Sequence, residues 1–384
     1  MLRNALVIIG SIVVSACGGA SDASSENKKD ALVKETLAPE STLVKPGFVV
    51  GVVSSEGLQT AIVSGAADIE QARPVDENTV FHIASLSKQV TAAALAHAIL
   101  EERVTLDDPV SKWIPATAKY GSGLTIAHLL FFTSGLREYY DVPRTSGMPW
   151  STFHYFTIDD AIRHSLSVDE LDFEPGAQWR YSNINYMLIA KVVEAAYEKP
   201  FSAVVKEKLF APLGMDSSLI HDDVTTIIPN RANAYFPRSD ESVSYFNNDL
   251  NIDVHTGNEL MLIRRNAPHY GGSGVFTSAS DWSKWQQEIL TRKVFGDRFW
   301  ELMFSTRKFE HDKSNDAFGL VHSTYEGQKM LWYAGGDIDV SSYVATLPEN
   351  DLSVFCFANN PRDNCEDKVY QSLETVFEIR SADE

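Results

Sequence analysis

Ser85 and Lys88 are the residues of this chain whose types and spacing point most directly to chemistry. They lie in Phe81-His82-Ile83-Ala84-Ser85-Leu86-Ser87-Lys88, where an Ala-, Leu- and Ile-rich segment begins and runs to Glu102. Its periodicity predicts a largely buried helix. A separation of three places hydroxyl and amine on one helical face. A serine hydroxyl is a weak nucleophile until a neighbour accepts its proton, and a buried lysine of lowered pKa can do that. The first turn of a helix also turns free N–H groups and a positive dipole end toward developing negative charge. The spacing alone is cheap, since Ser25/Lys28 and Ser305/Lys308 share it with no apolar helix around them. The plain alternative is a serine N-cap beside a surface lysine.

Tyr181-Ser182-Asn183 is the second candidate. It follows Glu174-Pro175-Gly176 and precedes the helical segment Tyr186–Tyr197, a junction that can present a phenol and an amide to one cleft. A phenol whose pKa is lowered by a neighbouring ammonium could relay a proton. Tyr245-Phe246-Asn247 has the same spacing in irregular sequence, and a half-buried aromatic with a bonded hydroxyl is the plain reading of Tyr181. His82, His128 and His164 show no ligand spacing with a second His, Cys or carboxylate, so they read as structural or surface residues and no metal is expected. Gly271–Gly274 lacks the lysine of a phosphate-cradling loop, and no cofactor is implied.

These residues need a scaffold, and the chain suggests one built from both ends. Phe48–Val53 and Gln59–Val63, joined through Glu56-Gly57, read as a hairpin. From about 111 to 270 the pattern is mainly helical, as in Ile126–Phe132, Ile158–Leu166 and Tyr186–Tyr197, while 231–270 reads as irregular. After a helix at Asp281–Leu290 the tail returns to strands at Phe318–Tyr325, Lys329–Tyr333, Ser342–Leu347 and Leu352–Ala358. Glu326-Gly327, Gly335–Asp339 and Pro348–Asp351 separate them, and Cys365–Ile379 closes the chain as a helix. The expected class is α/β of the α+β type. An antiparallel sheet from both chain ends (about 43–110 and 271–384) is flanked by helices and carries an inserted, mainly helical lobe (about 111–270).

In that order the chain resembles the serine β-lactamase-related family, which comprises class C-type β-lactamases, D-alanyl-D-alanine carboxypeptidases and related esterases. The similarity runs from about 45 to 360 and rests on Ser85-x-x-Lys88, Tyr181-x-Asn183 and several further stretches. These are Leu106–Val110, Thr125–Leu130, Thr133-Ser134-Gly135-Leu136, Pro212–Met215 and Gly271–Ser278. The resemblance implies a β-lactamase/transpeptidase-like, penicillin-binding fold, with Ser85 as acyl-accepting nucleophile and Lys88 as its proton acceptor. Tyr181 would be a shared base that also serves the hydrolytic water, and Asn183 would position Lys88 or the substrate amide.

The chain departs from the family where a strand should end in Lys or His, then any residue, then Gly. Trp332-Tyr333-Ala334-Gly335-Gly336 stands there, and Asp339 falls where glycine is usual. The Gly335-Gly336 backbone can still approach a substrate, and the Gly336 N–H could share an oxyanion hole with that of Ser85. The positive charge that would hold a substrate carboxylate is missing. The expectation is therefore a serine hydrolase acting on small-molecule or peptide-like esters and amides. The alternatives are a β-lactamase or D,D-carboxypeptidase proper, or a non-catalytic envelope protein that keeps the fold.

The 384 residues are 44% hydrophobic and 22% charged, an ordinary globular composition. A formal charge of −19 without a basic stripe excludes a nucleic-acid partner. Ala5–Ala16 is a 12-residue, mostly apolar run, about 18 Å as a helix, too short for a bilayer core. Ser15-Ala16-Cys17 closing it resembles the lipobox of bacterial lipoproteins. The expectation is a signal peptide at 1–16, lipid on Cys17 and a flexible linker to residue 42, ahead of one catalytic domain at 43–384. The protein would then be anchored to the cell envelope, facing periplasm or exterior, with Gly18 favouring an outer membrane. Cys356 and Cys365 remain as a pair open to either a disulfide or two free thiols.

Overall fold

A computed structural model describes residues 42–141, 152, 154–257, 259–309 and 315–382. The expected signal peptide, Cys17 and the linker up to residue 41 lie outside the described residues. Among the described residues no helix is long and apolar enough to cross a membrane.

In chain order the elements that matter are β1 (Phe48–Ser54), β2 (Gly57–Ser64), β3 (Val80–His82), α1 (Ser87–Leu100), α2 (Ile126–Leu130), α3 (Ile158–Ser165) and α4 (Asn183–Tyr197). Then come β4 (Leu219–Ile220), β5 (Ala234–Pro237), β6 (Leu260–Ile263), β7 (Val275–Ser278), α5 (Ala279–Thr291) and α6 (Asp297–Met303). The tail holds β8 (Val321–Tyr325), β9 (Gln328–Asp337), β10 (Val340–Leu347), β11 (Leu352–Ala358) and α7 (Cys365–Ala382). The antiparallel main sheet has the order β8-β9-β10-β11-β1-β2, so the N-terminal hairpin joins the C-terminal strands through β1 and β11.

Both faces of that sheet are covered, which is why β1 and β11 are apolar at almost every position rather than alternating. Val49, Val53, Phe355 and Phe357 belong to one core with Trp282 and Trp285 of α5. Phe48, Val50, Val52 and Val354 face a second core with Val369 and Leu373 of α7. Cys356 and Cys365 are disulfide-bonded, with Cα atoms 5.3 Å apart, and tie the start of α7 to β11.

Four features differ from the sequence reading. First, β9 continues through Gly335 and Gly336 to Asp337, where a separator was expected, because Gly335, Gly336 and Asp337 pair with Ser342, Ser341 and Val340 of β10. Second, residues 231–270 are not wholly irregular. Tyr235 and Phe236 on β5 pair with Leu262 and Met261 on β6, and Phe236, Phe246, Leu250 and Met261 form a small core of their own. Third, α1, expected with the sheet, packs against α4 and α6 on the helical side. It is buried nearly all round, so it links the two lobes instead of belonging to one. A short sheet β3-β7-β4 also went unanticipated, its strands being too brief for a period to show.

Candidate active site

The serine is delivered by an abrupt strand-to-helix reversal. β3 ends at His82, the Ile83 N–H donates to Val275 O of β7 at 3.1 Å, and a 3₁₀ turn over Ala84–Leu86 leads into α1. Ala84 takes φ +44°, a left-handed conformation that a residue with a Cβ holds only when its surroundings enforce it. Those surroundings are visible. Ser342 Oγ of β10 donates to Ile83 O at 2.9 Å, and β9 lies directly against the turn. A Cβ at Gly335 would sit 2.3 Å from Ser342 Oγ and 2.7 Å from Ile83 O, so only glycine permits this approach. Ser85 is left half-buried, its hydroxyl facing Tyr181 and Lys88.

Lys88 is fully buried one turn on, and its ammonium is held from three sides. Nζ donates to Ser85 Oγ at 3.1 Å, to Asn183 Oδ1 at 2.8 Å and to Gly272 O at 2.7 Å, and lies 4.7 Å from the Tyr181 ring centre. Burial pushes the amine down to about 7, with the Glu138 carboxylate pulling it back up. A lysine poised there is available as a neutral base near neutral pH.

Tyr181 OH lies 2.7 Å from Ser85 Oγ and 3.3 Å from Asn183 Oδ1. As a residue Tyr181 remains 38% exposed. Burial pushes this phenol well above its ordinary range, Ser85 opposing and the Glu138 carboxylate reinforcing the rise. This corrects the expectation of a depressed phenol: burial favours the protonated Tyr181 hydroxyl, and of the two groups it is Lys88 whose neutral form is favoured.

α4 is aimed by residues to which the sequence reading had given no role. Glu138, 5% exposed, accepts from the Asn183 N–H at 2.5 Å, Ser182 Oγ at 3.0 Å and the Tyr139 N–H at 3.0 Å. A carboxylate on free N–H groups at a helix start is favourably placed. Ser134 Oγ donates to Asn185 Oδ1 at 2.7 Å, and the Arg180 N–H donates to Phe132 O at 2.8 Å. Thr133-Ser134-Gly135-Leu136 thus serves as the bracket for Tyr181 and Asn183. Asn247, the control for Tyr-x-Asn, instead bonds Val254 of its own loop.

β9 forms the opposite wall. It pairs with β8 only as far as Trp332, so the edge from Tyr333 onward has no ladder partner on that side among the described residues. Gly336 is exposed, with nothing within 4 Å of a Cβ placed there. Tyr333 is 6% exposed and part of the main core, which corrects its assignment as a residue presented to substrate. Burial raises its phenol, with Tyr181, Tyr186 and Asp316 adding in the same direction. Asp316 is itself buried and accepts from Trp179 Nε1 at 2.6 Å, so this wall carries a carboxylate, and among the described residues no cation replaces the absent family lysine or histidine.

The histidines also needed the fold. His128 caps α2 by bonding Thr125 through Nδ1 at 2.9 and 3.1 Å. His82, which shows no ligand spacing with a carboxylate in the sequence, lies 3.0 Å from Asp339, 257 residues away. Ligand atoms of His82, Asp337 and Asp339 lie within 4.8 Å of one another, a geometry that a metal could use. The two carboxyl groups also act on the buried Arg265, whose Nε is 4.0 Å from Asp337 Oδ2.

A profile of the Beta-lactamase family matches residues 31–373. Penicillin-binding protein 4* of Bacillus subtilis (strain 168) is 32% identical over 336 residues, covering 82% of this chain and 68% of that protein. Esterase EstB of Burkholderia gladioli is 34% identical over 164 residues, 39% of this chain and 41% of the esterase. The structure of D-amino acid amidase from Ochrobactrum anthropi SV3 superimposes with a TM-score of 0.72 at 19% identity, covering 94% of this chain and all of that one. With a serine, a buried lysine and a tyrosine converging where strand meets helix, and a profile match over most of its length, this chain belongs to the Beta-lactamase family.

Proposed function

We propose that the protein is a serine hydrolase that cleaves esters or amides, peptide-like ones included, through an acyl-enzyme on Ser85. The observation that carries this is the contact set of Lys88: a buried amine, about 7 in pKa, 3.1 Å from a hydroxyl oxygen that also touches Tyr181. Lys88 Nζ takes the Ser85 proton as Oγ bonds to the substrate carbonyl carbon. The oxygen that becomes negative is received by the N–H groups of Ser85 and Gly336. Collapse of that intermediate breaks the carbon–heteroatom bond. The Lys88 ammonium returns the proton to the leaving group through the Tyr181 hydroxyl. Water then attacks the ester on Ser85 with the same groups acting in reverse order, releasing the acid and restoring the serine.

Substrate preference follows from the wall around the serine. Tyr333 is neutral at the position where the family usually has a cation, Asp316 stands near it, and burial holds the Glu138 carboxyl above its usual range. Neutral esters and amides fit such a site better than substrates held by a carboxylate, such as β-lactams or peptide C-termini. Esterase EstB and D-amino acid amidase carry activities of the favoured kind in their names. The apolar run at Ala5–Ala16 and Ser15-Ala16-Cys17 support placing this activity at the cell envelope on a lipid anchor.

The test is fluorophosphonate labelling and hydrolysis of p-nitrophenyl esters by wild type and Ser85→Ala, with nitrocefin turnover alongside. Wild type should label and hydrolyse esters well above its rate on nitrocefin, and Ser85→Ala should do neither. A folded wild type that neither labels nor turns over any ester would refute the reading.

A further inference from the structure

The residue that stands where the family has glycine, Asp339, belongs to a buried chain of hydrogen bonds that reaches the catalytic lysine from behind. Asp339 Oδ1 and Oδ2 lie 3.0 and 3.2 Å from His82 Nδ1, and His82 Nε2 lies 2.8 Å from Ser273 Oγ. A carboxylate can only accept, so Nδ1 donates to it and the ring is held in one orientation. Ser273 follows Gly272, whose carbonyl accepts from Lys88 Nζ at 2.7 Å. The same loop is seated on α1 at two more points. Thr91 Oγ1 donates to Gly271 O at 2.7 Å, and Ser87 Oγ accepts from the Val275 N–H at 3.0 Å.

Ser273, His82 and Asp339 stand in the order of a hydrolytic triad, but they are 8%, 4% and 4% exposed. No substrate carbonyl reaches Ser273 Oγ, so this is not a second nucleophile. We propose that His82 and Asp339 are positioning residues: through the Ser273 hydroxyl they fix the Gly271–Gly274 loop so that the Gly272 carbonyl aims the Lys88 amine at Ser85. This rests on Lys88 being the base, as proposed above. It also accounts for Asp339 in a site that keeps its serine, lysine and tyrosine, since the carboxylate supports the base rather than marking a lost activity.

Loosening the loop takes one of three acceptors from the Lys88 ammonium, while Glu138, Tyr181 and Tyr186 still surround it. The charged amine is then less favoured, so the acid limb of the pH–rate profile moves to lower pH. Ser273→Ala removes only the last link and is the gentlest variant; His82→Gln and the double variant complete a cycle, all in the full chain. With a p-nitrophenyl ester, Ser273→Ala should lower kcat about tenfold with KM within about twofold. It should also displace the acid limb, and the double variant should show no further displacement. Asp339→Asn, which can still accept from Nδ1, should restore most of the kcat lost in Asp339→Ala. A folded Ser273→Ala with wild-type kcat and limb, or a double variant whose effects simply add, overturns the proposal. Both outcomes leave Ser85-dependent hydrolysis intact. Hydrolysis that survives Ser85→Ala would instead overturn the reading beneath it.

Discussion

Replacing Lys88 with methionine separates the price of the buried base from everything else in the site. The Lys88 amine titrates at about 7 in the folded protein against 10.5 when free, so between those values the unfolded chain binds one more proton than the folded one. Unfolding free energy of the wild type therefore rises with pH across that window relative to Lys88→Met, by up to about 1.36 kcal/mol per unit. Below about pH 7 both forms bind the proton equally and the difference is constant. Integrated from pH 7 to pH 10 the advantage of the methionine variant should shrink by about 3.5 kcal/mol. Ser85 Oγ, Asn183 Oδ1 and Gly272 O each lose a donor in the variant, but that loss does not vary with pH and cancels in the slope. Urea unfolding of both proteins at several pH values, with the disulfide intact, measures this directly. The variant should also lack ester hydrolysis. A stability difference that stays flat from pH 7 to pH 10 would refute the lowered amine, and with it the assignment of Lys88 as a neutral base.

Wild-type kcat/KM should rise about tenfold per unit below pH 7 and level off above it, with no decline before the raised Tyr181 hydroxyl begins to ionise; pH-dependent ester hydrolysis reads this. Glu138→Gln should move that rise toward lower pH, since the Glu138 carboxylate holds the ammonium form in place. Gly335→Ala should cost about 1–3 kcal/mol in thermal unfolding and lower kcat, because its Cβ would collide with Ser342 and with Ile83 O beside the nucleophile. Cys365→Ser should lose about 3 kcal/mol for the nine-residue separation it opens, while hydrolysis below the melting range persists, since that bond lies on the α7 side of the sheet.

Ser85 and Lys88 were legible because a helix converts a separation of three into contact, and Tyr181 and Asn183 because they adjoin a periodic segment. The strands of the main sheet were legible from their apolar runs and turn residues. What escaped has common physical causes. The Gly272 carbonyl is a backbone atom, so no side chain announces it. His82 and Asp339 meet across 257 residues, and nothing local in either segment encodes the other. Glu138 sits two residues past Leu136 in a recognisable stretch, yet its role depends on how α4 is docked. The direction of the Tyr181 shift depends on burial against two carboxylates, a quantity that residue spacing does not carry. Tyr333 was placed correctly along its strand, but the inward turn of its ring is a matter of packing.

The pairing of β1 with β11 has a consequence for how the chain is made. Gly47 N donates to Asn359 Oδ1 across 312 positions, and Phe48 is opposite Ala358. At ordinary rates of about 5–20 residues per second, the β1–β2 hairpin emerges roughly 15–60 s before its partner strand exists. Throughout that interval one edge of an apolar strand is unpaired, and neither core of the sheet can close. Native folding of the sheet must therefore wait for β11, which leaves the growing chain open to whatever receives it from the ribosome.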